Sequence, residues 1–165
     1  MNKTDLRQAI IDRLQSDLDV LTRAAHMARE EATDEQSKPK EEYETHAQEA
    51  AYLAESQAKL ASELQASLAL YKGMPMPDFS KTAQPADTGA LIRLETVGDE
   101  KRDLWYFLGL RNGGIELTVG ANTVTLVTPQ SPLGRLLTGA RAGDTVQLST
   151  GTNIPFLPHR VAEIL

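Results

Sequence analysis

Cysteine is absent from this chain of 165 residues, and aromatic residues make up only 5% of it. Without cysteine, the fold cannot rest on disulfide bonds and the chain has no thiolate metal site, which suits a reducing compartment. The sequence also lacks an apolar run long enough for a membrane-spanning helix, and its first residues show no signal peptide. We therefore expect a cytoplasmic protein that contacts no membrane.

The chain also does not have more basic than acidic residues. The chain carries 17 lysine and arginine residues against 23 aspartate and glutamate residues, a net charge of −6. An acidic protein repels the phosphate backbone, so we expect no direct binding to DNA and favour a protein partner. Most of the negative charge lies in the first 72 residues, which hold 9 basic and 14 acidic side chains.

Glycine and proline are almost absent from the same first 72 residues, which contain no glycine and only one proline, Pro39. All 11 glycines and the other seven prolines lie further along the chain. Such a shift in composition indicates two different architectures. We predict a helical part over residues 1–72, a proline-containing linker over residues 73–89 and a second domain over residues 90–165.

Two apolar stripes with helical spacing run through the first part, one before Pro39 and one after it. Proline disrupts the interior of a helix, so the polar break at Pro39 predicts two antiparallel helices in a coiled-coil hairpin. Because the helices then pair within one chain, we expect a monomer. The stripe residues are Leu6, Ile10, Leu14, Leu18, Leu21, Ala25, Ala28 and Ala32 in the first helix, and Tyr43, Ala47, Ala50, Ala54, Ala58, Ala61, Leu64, Leu68 and Tyr71 in the second.

Acidic residues crowd around the link between the two predicted helices. A solvated helix-loop-helix tip is the simpler interpretation, because exposed helix ends commonly carry charge. Alternatively, the carboxylates share a divalent cation with carboxylates of a partner, since hard oxygen ligands suit magnesium. The candidate residues are Asp34, Glu35, Glu41, Glu42 and Glu44.

Short apolar runs separated by turn residues fill the second part of the chain. They predict two hairpins followed by a short helix and two more strands. The expected arrangement is a mainly antiparallel sheet curled over one helix, so that the whole chain belongs to the α+β class. Trp105, Tyr106 and Phe107 are consecutive, and neighbouring residues of a strand point to opposite faces, so we expect them to fill the core. The runs lie at residues 90–97, 104–110, 115–119, 123–128, 145–148 and 160–165.

The stretch SPLGRLLTGARAGDTV, which begins at Ser131, has the features of a short helix between two turns. A serine accepts hydrogen bonds from free N–H groups at a helix start, and proline is favoured at the next position. Ser131 and Pro132 therefore predict the start of the helix. Leu133, Leu136 and Leu137 fall at helical spacing on one predicted face.

This stretch resembles the hallmark of the C-terminal domain of the Gre transcript-cleavage factors, GreA and GreB. In both, a serine-proline-leucine start, a helix with small residues and a glycine-aspartate turn come in the same order. The resemblance implies an FKBP-like fold for the sheet domain and an antiparallel coiled coil for the N-terminal helices. It also implies that Ser131, Pro132 and Leu133 form a corner that docks on bacterial RNA polymerase.

The segment around Pro39 is also similar to a Gre segment. Residues 37–47 read SKPKEEYETHA where Gre factors typically have GDLKENAEYHA, so that Glu41, Glu44, His46 and Ala47 match. In the family, an Asp and a Glu near the tip help to hold the second magnesium ion of the polymerase during cleavage of backtracked RNA. Lys38 stands where the family has that Asp, and a cation repels the metal. The whole pattern resembles a divergent branch of Gre-like factors.

These features lead to one main hypothesis and two alternatives. The protein is expected to be a Gre-like transcription elongation factor that enters the secondary channel of RNA polymerase and modulates elongation or transcript cleavage, with indirect contact to RNA in backtracked complexes. It would be no enzyme itself and would hold no cofactor, apart from a magnesium ion shared in the polymerase active site. The first alternative is a coiled-coil dimerisation module with an FKBP-like domain that does not act on polymerase. The second is a prolyl isomerase, although fold alone does not license that activity.

Overall fold

Two long helices precede six strands and a third, short helix, which is the predicted α+β class. The computed structural model of the protein describes residues 1–33, 40–80, 84–97, 103–148 and 157–165, with the side chains of 31–33, 40–47 and 50 left aside. The elements in chain order are α1 (Lys3–Thr33), α2 (Lys40–Gly73), β1 (Leu91–Thr96), β2 (Asp103–Leu108), β3 (Glu116–Val119), β4 (Asn122–Val127), α3 (Pro132–Leu137), β5 (Thr145–Leu148) and β6 (Leu157–Ile164).

Helix α1 buries one stripe of its surface, as its sequence pattern predicts. Leu6 and Leu14 are fully buried, and Ile10, Leu18 and Ala28 are nearly so. Apolar side chains three and four residues apart lie on one face of a helix, and burying them removes apolar area from water. No described helix is both long enough and apolar enough to cross a membrane.

Helix α2 buries a stripe that differs at one position from the predicted one. Leu68 and Tyr71 are buried, but Ala58 is exposed and Gln57 is half-buried in its place. From Tyr71 backwards, alternating steps of three and four residues reach position 57 and not position 58, so the prediction of Ala58 is wrong. The side chains of the predicted stripe residues Ala32, Tyr43, Ala47 and Ala50, and all of Pro39, lie outside the described part of the chain.

The chain divides into two compact units. The first comprises Met1–Ala9 and Met74–Leu165, and the second comprises Ile10–Gly73. The first turns of α1 therefore belong to the same unit as the sheet, although the rest of this helix belongs to the other unit.

The predicted linker, residues 73–89, lies almost entirely in the first unit. Three of its apolar side chains, Met74, Phe79 and Ala86, are buried, and the last two belong to the core beside the sheet. Much of this segment therefore packs as part of the unit. The division into three domains stays a prediction.

The six strands form one mixed sheet in the order β3-β4-β2-β1-β6-β5. Both predicted hairpins are present, and the pairs β1 with β2, β3 with β4, β1 with β6 and β5 with β6 are antiparallel. Strand β4, however, pairs with β2 in parallel, with Trp105 opposite Val124 and Phe107 opposite Leu126. Four of the five strand pairs are antiparallel, as expected for the predicted mainly antiparallel sheet, and this one pair is the parallel exception.

The apolar content of the second hairpin explains the parallel pair. Strand β4 buries Val124, Leu126 and Val127, whereas β3 leaves Glu116 and Thr118 exposed. The more apolar strand takes the inner position beside β2, and the strand with polar side chains takes the edge. The chain reverses its direction between β2 and β3 and again between β3 and β4. Strand β4 therefore runs in the same direction as β2 when it lies beside it.

Apolar side chains line both faces of the sheet. On one face, Ile92 and Tyr106 pack with Leu137 of α3 and with Phe79. Tyr106 points away from Trp105 and Phe107, and all three are at most 9% exposed, which confirms their predicted place in the core. The buried residues of the second face include Leu91, Trp105, Phe107, Val124 and Leu126.

Candidate functional site

The Ser131 side chain caps the start of helix α3, as the sequence predicts. Its backbone is extended, with φ −68° and ψ 155°, and its Oγ accepts a hydrogen bond from the Gly134 N–H at 3.0 Å. Pro132 occupies the first helical turn, where a missing N–H group costs nothing. The Ser131 carbonyl accepts a helical bond from the Arg135 N–H at 2.9 Å. The cap thereby fixes the direction in which the chain enters the helix.

The carbonyl oxygen of Thr128, just past β4, holds this corner in place. It accepts hydrogen bonds from the Ser131 N–H at 2.9 Å and from the Ser131 Oγ at 2.8 Å. Gly134 approaches the same oxygen so closely that a Cβ atom there would lie 1.8 Å from it. A side chain at position 134 would push α3 away from Thr128, so the helix needs glycine here. The Thr128 carbonyl thus positions both Ser131 and Gly134, which lie before and after Pro132 in the chain.

Pro132 and Leu136 form an exposed apolar surface on α3, which we call the corner surface. Pro132 is exposed and Leu136 is 48% exposed, and residues four apart lie side by side on a helix. Leu133 is half-buried against the core and Leu137 is fully buried. The prediction that Leu136 shares their face is wrong, because the buried face of α3 carries Gly134 and Leu137, three residues apart, and Leu136 lies outside it.

The far end of α3 is fixed as firmly as its start. The Thr138 N–H and its Oγ1 both donate to the Gly134 carbonyl at 2.8 Å. Gly139 follows with φ +84°, a conformation that favours glycine, and donates to the Ala86 carbonyl at 2.7 Å. Ala86 in turn donates to the Ala140 carbonyl at 2.7 Å. Since both ends are tied to neighbouring backbone, the corner surface has little freedom to move.

The loop between β2 and β3 supports the corner, which the sequence pattern did not indicate. The Gly109 N–H donates to the Val127 carbonyl at 2.8 Å, and a Cβ atom at Gly113 would lie 3.3 Å from the Thr128 Cγ2. Asn112 has a positive φ of 57°, and its buried Oδ1 has no hydrogen-bond partner in the described part of the chain. The run Asn112-Gly113-Gly114 signals a turn, but not where that turn packs.

A second group of charged residues lies on β1, β2 and β6, where one arginine faces three carboxylates. The Arg93 guanidinium lies 2.6 Å from Glu95, 3.3 Å from Asp103 and 3.5 Å from Glu163, and 5.9 Å from the centroid of the Trp105 ring. Partial desolvation opposes the charge, yet the hydrogen bond to Glu95 and the nearby carboxylates raise the pKa of Arg93. The Arg93 guanidinium thus links carboxylates of three neighbouring strands, Glu95 of β1, Asp103 of β2 and Glu163 of β6.

The predicted acidic tip lies mostly outside the described residues. Asp34 and Glu35, like Lys38, fall in the undescribed segment between α1 and α2. Glu41, Glu42 and Glu44 lie in the first turns of α2, and their side chains are not among those described. Of the predicted site residues, the structure therefore brings together Ser131, Pro132 and Leu133. Within the described residues, no group of three or more His, Asp or Glu side chains could hold a metal ion.

Comparison with known proteins finds similarity at the level of structure. No protein-family model matches the sequence, and no curated protein matches it significantly. The structure resembles GreA factor homolog 1 (Gfh1) of Thermus thermophilus, with 18% identity, 94% of each chain covered and a TM-score of 0.38. A second structure of the transcription factor Gfh1 gives 21% identity, coverage of 94% and 93%, and a TM-score of 0.35. The prokaryotic transcription elongation factor GreA/GreB from Nitrosomonas europaea gives 14% identity, coverage of 71% of this chain and 91% of that chain, and a TM-score of 0.36. Similarity at this level does not establish a family for the chain.

Proposed function

We propose that this protein is a cytoplasmic Gre-like factor that binds bacterial RNA polymerase through its secondary channel and modulates elongation or transcript cleavage. The observation that carries the proposal is the corner surface, a rigid helix start that presents Pro132 and Leu136 to solvent. A pre-organised apolar surface loses little conformational entropy when a partner covers it. It lies in the stretch whose sequence resembles the Gre hallmark.

In this proposal the two compact units have different tasks. The corner at Ser131 docks on the polymerase, and the helices of the second unit carry the acidic link toward the polymerase active site. Helix α1 has 31 residues and α2 has 34, and helices of this length extend for about 45–50 Å. Contact with RNA would be indirect and confined to backtracked complexes.

The acidic residues of the link act electrostatically in this proposal. Glu41 and Glu44 match acidic residues of the Gre segment, and carboxylate oxygens suit a magnesium ion that belongs to the polymerase. Lys38 places a positive charge in the same segment and opposes metal binding. We therefore favour a modulator that competes with cleavage factors. The chain itself would be neither an enzyme nor the holder of a metal ion.

The test uses stalled, backtracked elongation complexes of bacterial RNA polymerase. The wild-type protein should slow RNA cleavage that a true cleavage factor stimulates, and the variant Pro132→Asp should lose this competition. An aspartate is tolerated in the first turn of a helix, where its charge is favourable, so α3 should persist in this variant. Gln147→Asp is the matched control, because it adds the same charge at an exposed position of β5 and should still compete.

Other outcomes would change the proposal in defined ways. If the wild-type protein itself shortened the RNA and Glu41→Ala abolished this, the link would supply a working carboxylate despite Lys38. If neither cleavage nor competition were seen, the polymerase hypothesis would be wrong. Equal loss of competition in Pro132→Asp and Gln147→Asp would show that the corner surface is not the docking site.

A further inference from the structure

The turn between β2 and β3 is held to the sheet on both sides of the bond between Asn112 and Gly113. The N–H groups of Gly109, before this bond, and of Gly114, after it, donate to carbonyls of β4 at 2.8 and 2.7 Å. Asn112 itself has a left-handed backbone, with φ 57°, which asparagine adopts more readily than most residues. The two residues of the bond therefore lie between two fixed points.

The side chain of Asn112 and the N–H group of Gly113 are not held by hydrogen bonds within the part of the chain that the structure describes. The Asn112 Oδ1 is buried without a donor, and the Gly113 N–H has no acceptor there. Because a buried oxygen without a donor gains no hydrogen bond from its position, no such bond has to break when the side chain turns. Asn112 is half-buried and Gly113 is exposed, so water has access to this bond.

An asparagine followed by glycine brings together a side-chain amide and a backbone nitrogen that react with each other. A bond between the Gly113 nitrogen and the Asn112 Cγ closes a five-membered ring. Glycine carries no Cβ atom next to the attacking nitrogen, and its backbone turns more freely than that of other residues. Of the four asparagines in the chain, only Asn112 precedes a glycine. The turn thus places the most reactive asparagine sequence where hydrogen bonds do not restrain it.

We propose that Asn112 is a site of spontaneous deamidation and isomerisation that loosens the support of the corner surface. The Gly113 nitrogen forms a bond to the Asn112 Cγ, and the bond between Cγ and Nδ2 breaks. Ammonia leaves with the proton of the Gly113 nitrogen, which water relays. Water then opens the cyclic imide at one of its two carbonyl carbons. Opening at Cγ gives aspartate, and opening at the backbone carbon gives isoaspartate.

Both products change the turn. Aspartate places a negative charge where the amide oxygen is buried, which is costly without a partner. Isoaspartate adds its Cβ atom to the main chain, so the segment between Gly109 and Gly114 becomes longer by one carbon. Gly113 packs against Thr128, whose carbonyl positions Ser131. The change therefore reaches the corner surface, whether or not the protein acts on polymerase.

The test follows the folded full-length chain at neutral pH over several weeks by mass spectrometry. Cleavage after glutamate at mildly acidic pH gives the peptide of residues 101–116, in which Asn112 carries the only side-chain amide. Deamidation raises the mass of this peptide by the difference between water and ammonia, and electron-transfer fragmentation distinguishes isoaspartate from aspartate. Asn122, which is followed by threonine, is the internal control. Asn112 should deamidate at least about tenfold faster than Asn122, because glycine leaves the attacking nitrogen unhindered.

A comparison with the unfolded chain separates the effect of the fold from that of the sequence. In about 6 M guanidinium chloride, the rate at Asn112 should stay within about threefold of the rate in the folded chain, because the fold restrains neither reacting group by a hydrogen bond. A folded chain that reacts more than about tenfold more slowly than the unfolded chain would overturn the proposal, because the fold would then protect the site. Equal rates at Asn112 and Asn122 would overturn it as well.

The variant Asn112→Gly tests the effect on the corner surface. Glycine accepts the left-handed backbone at this position but has no side chain from which an imide could form. After the incubation, hydrogen exchange at the N–H groups of Gly114 and Ser131, followed by NMR, should be at least about fivefold faster in the wild type and unchanged in the variant. Unchanged exchange in a fully converted wild-type sample would contradict the loosening of the corner.

Discussion

At position 134 the fold leaves less room than a methyl group needs, because the Thr128 carbonyl occupies that space. The Ser131 cap is a local feature, made by a side chain and an N–H group three residues apart, and the sequence predicts it. The contact between Gly134 and Thr128 depends on how the chain turns between β4 and α3. A glycine within a short helix looks like a weak helix former, and nothing in the sequence pattern shows that it is required.

Gly134→Ala tests this requirement. The added methyl group must displace α3 from Thr128, so we expect the free energy of unfolding to fall by about 2–4 kcal/mol. Urea unfolding followed by the fluorescence of Trp105, the only tryptophan and a buried residue, measures this change. Gly73→Ala is the control, since nothing lies within 4 Å of a Cβ atom there. Equal stability of Gly134→Ala and the wild type would contradict the role of the contact.

At the scale of elements, the periodicity of apolar residues predicted α1 well and the sheet only in part. The stripe of α1 is buried where the pattern placed it, because a single helix face needs only local spacing. In the sheet, periodicity identified the strands and both hairpins. It did not show that β4 would pair with β2 in parallel, because that order follows from competition between whole strands for the central position.

Leu14→Ala tests the buried stripe of α1. Leu14 is fully buried, so we expect a loss of about 2–4 kcal/mol in the free energy of unfolding, measured by urea unfolding with circular dichroism. Val20→Ala provides the comparison, because Val20 is 53% exposed on the same helix and should change stability by less than about 0.5 kcal/mol. Similar effects of both substitutions would mean that the stripe is not the packing face.

At the scale of the whole molecule, charge and exposed apolar residues bear on the choice of partner. The net charge of −6 disfavours nucleic acid as a direct partner. Val20 and Met27 on α1, and Leu53 and Leu60 on α2, are at least 45% exposed and in each helix lie seven residues apart. Such a spacing is also what helices use to pair between chains, which is the arrangement of the alternative dimerisation module.

Sedimentation equilibrium decides between these arrangements. We expect the mass of a single chain over about 1–100 μM, because the predicted hairpin would bury its apolar stripe within the chain. A mass twice as large, restored to that of one chain by the double substitution Leu53→Glu and Leu60→Glu, would instead support the dimerisation module. The single substitution Glu55→Gln on the same helix is a control for altered charge alone.

Local chemistry is what the sequence by itself determined in this protein. Ser131 and Pro132 start a helix because a hydroxyl and a fixed φ act on neighbouring residues, and the stripe of α1 follows from helical spacing. Only the tertiary structure decided which residues meet from distant parts of the chain. It placed Lys3 against Pro77, which lies far along the chain. Such a contact depends on how distant segments pack and share hydrogen bonds, and local sequence patterns do not contain that information.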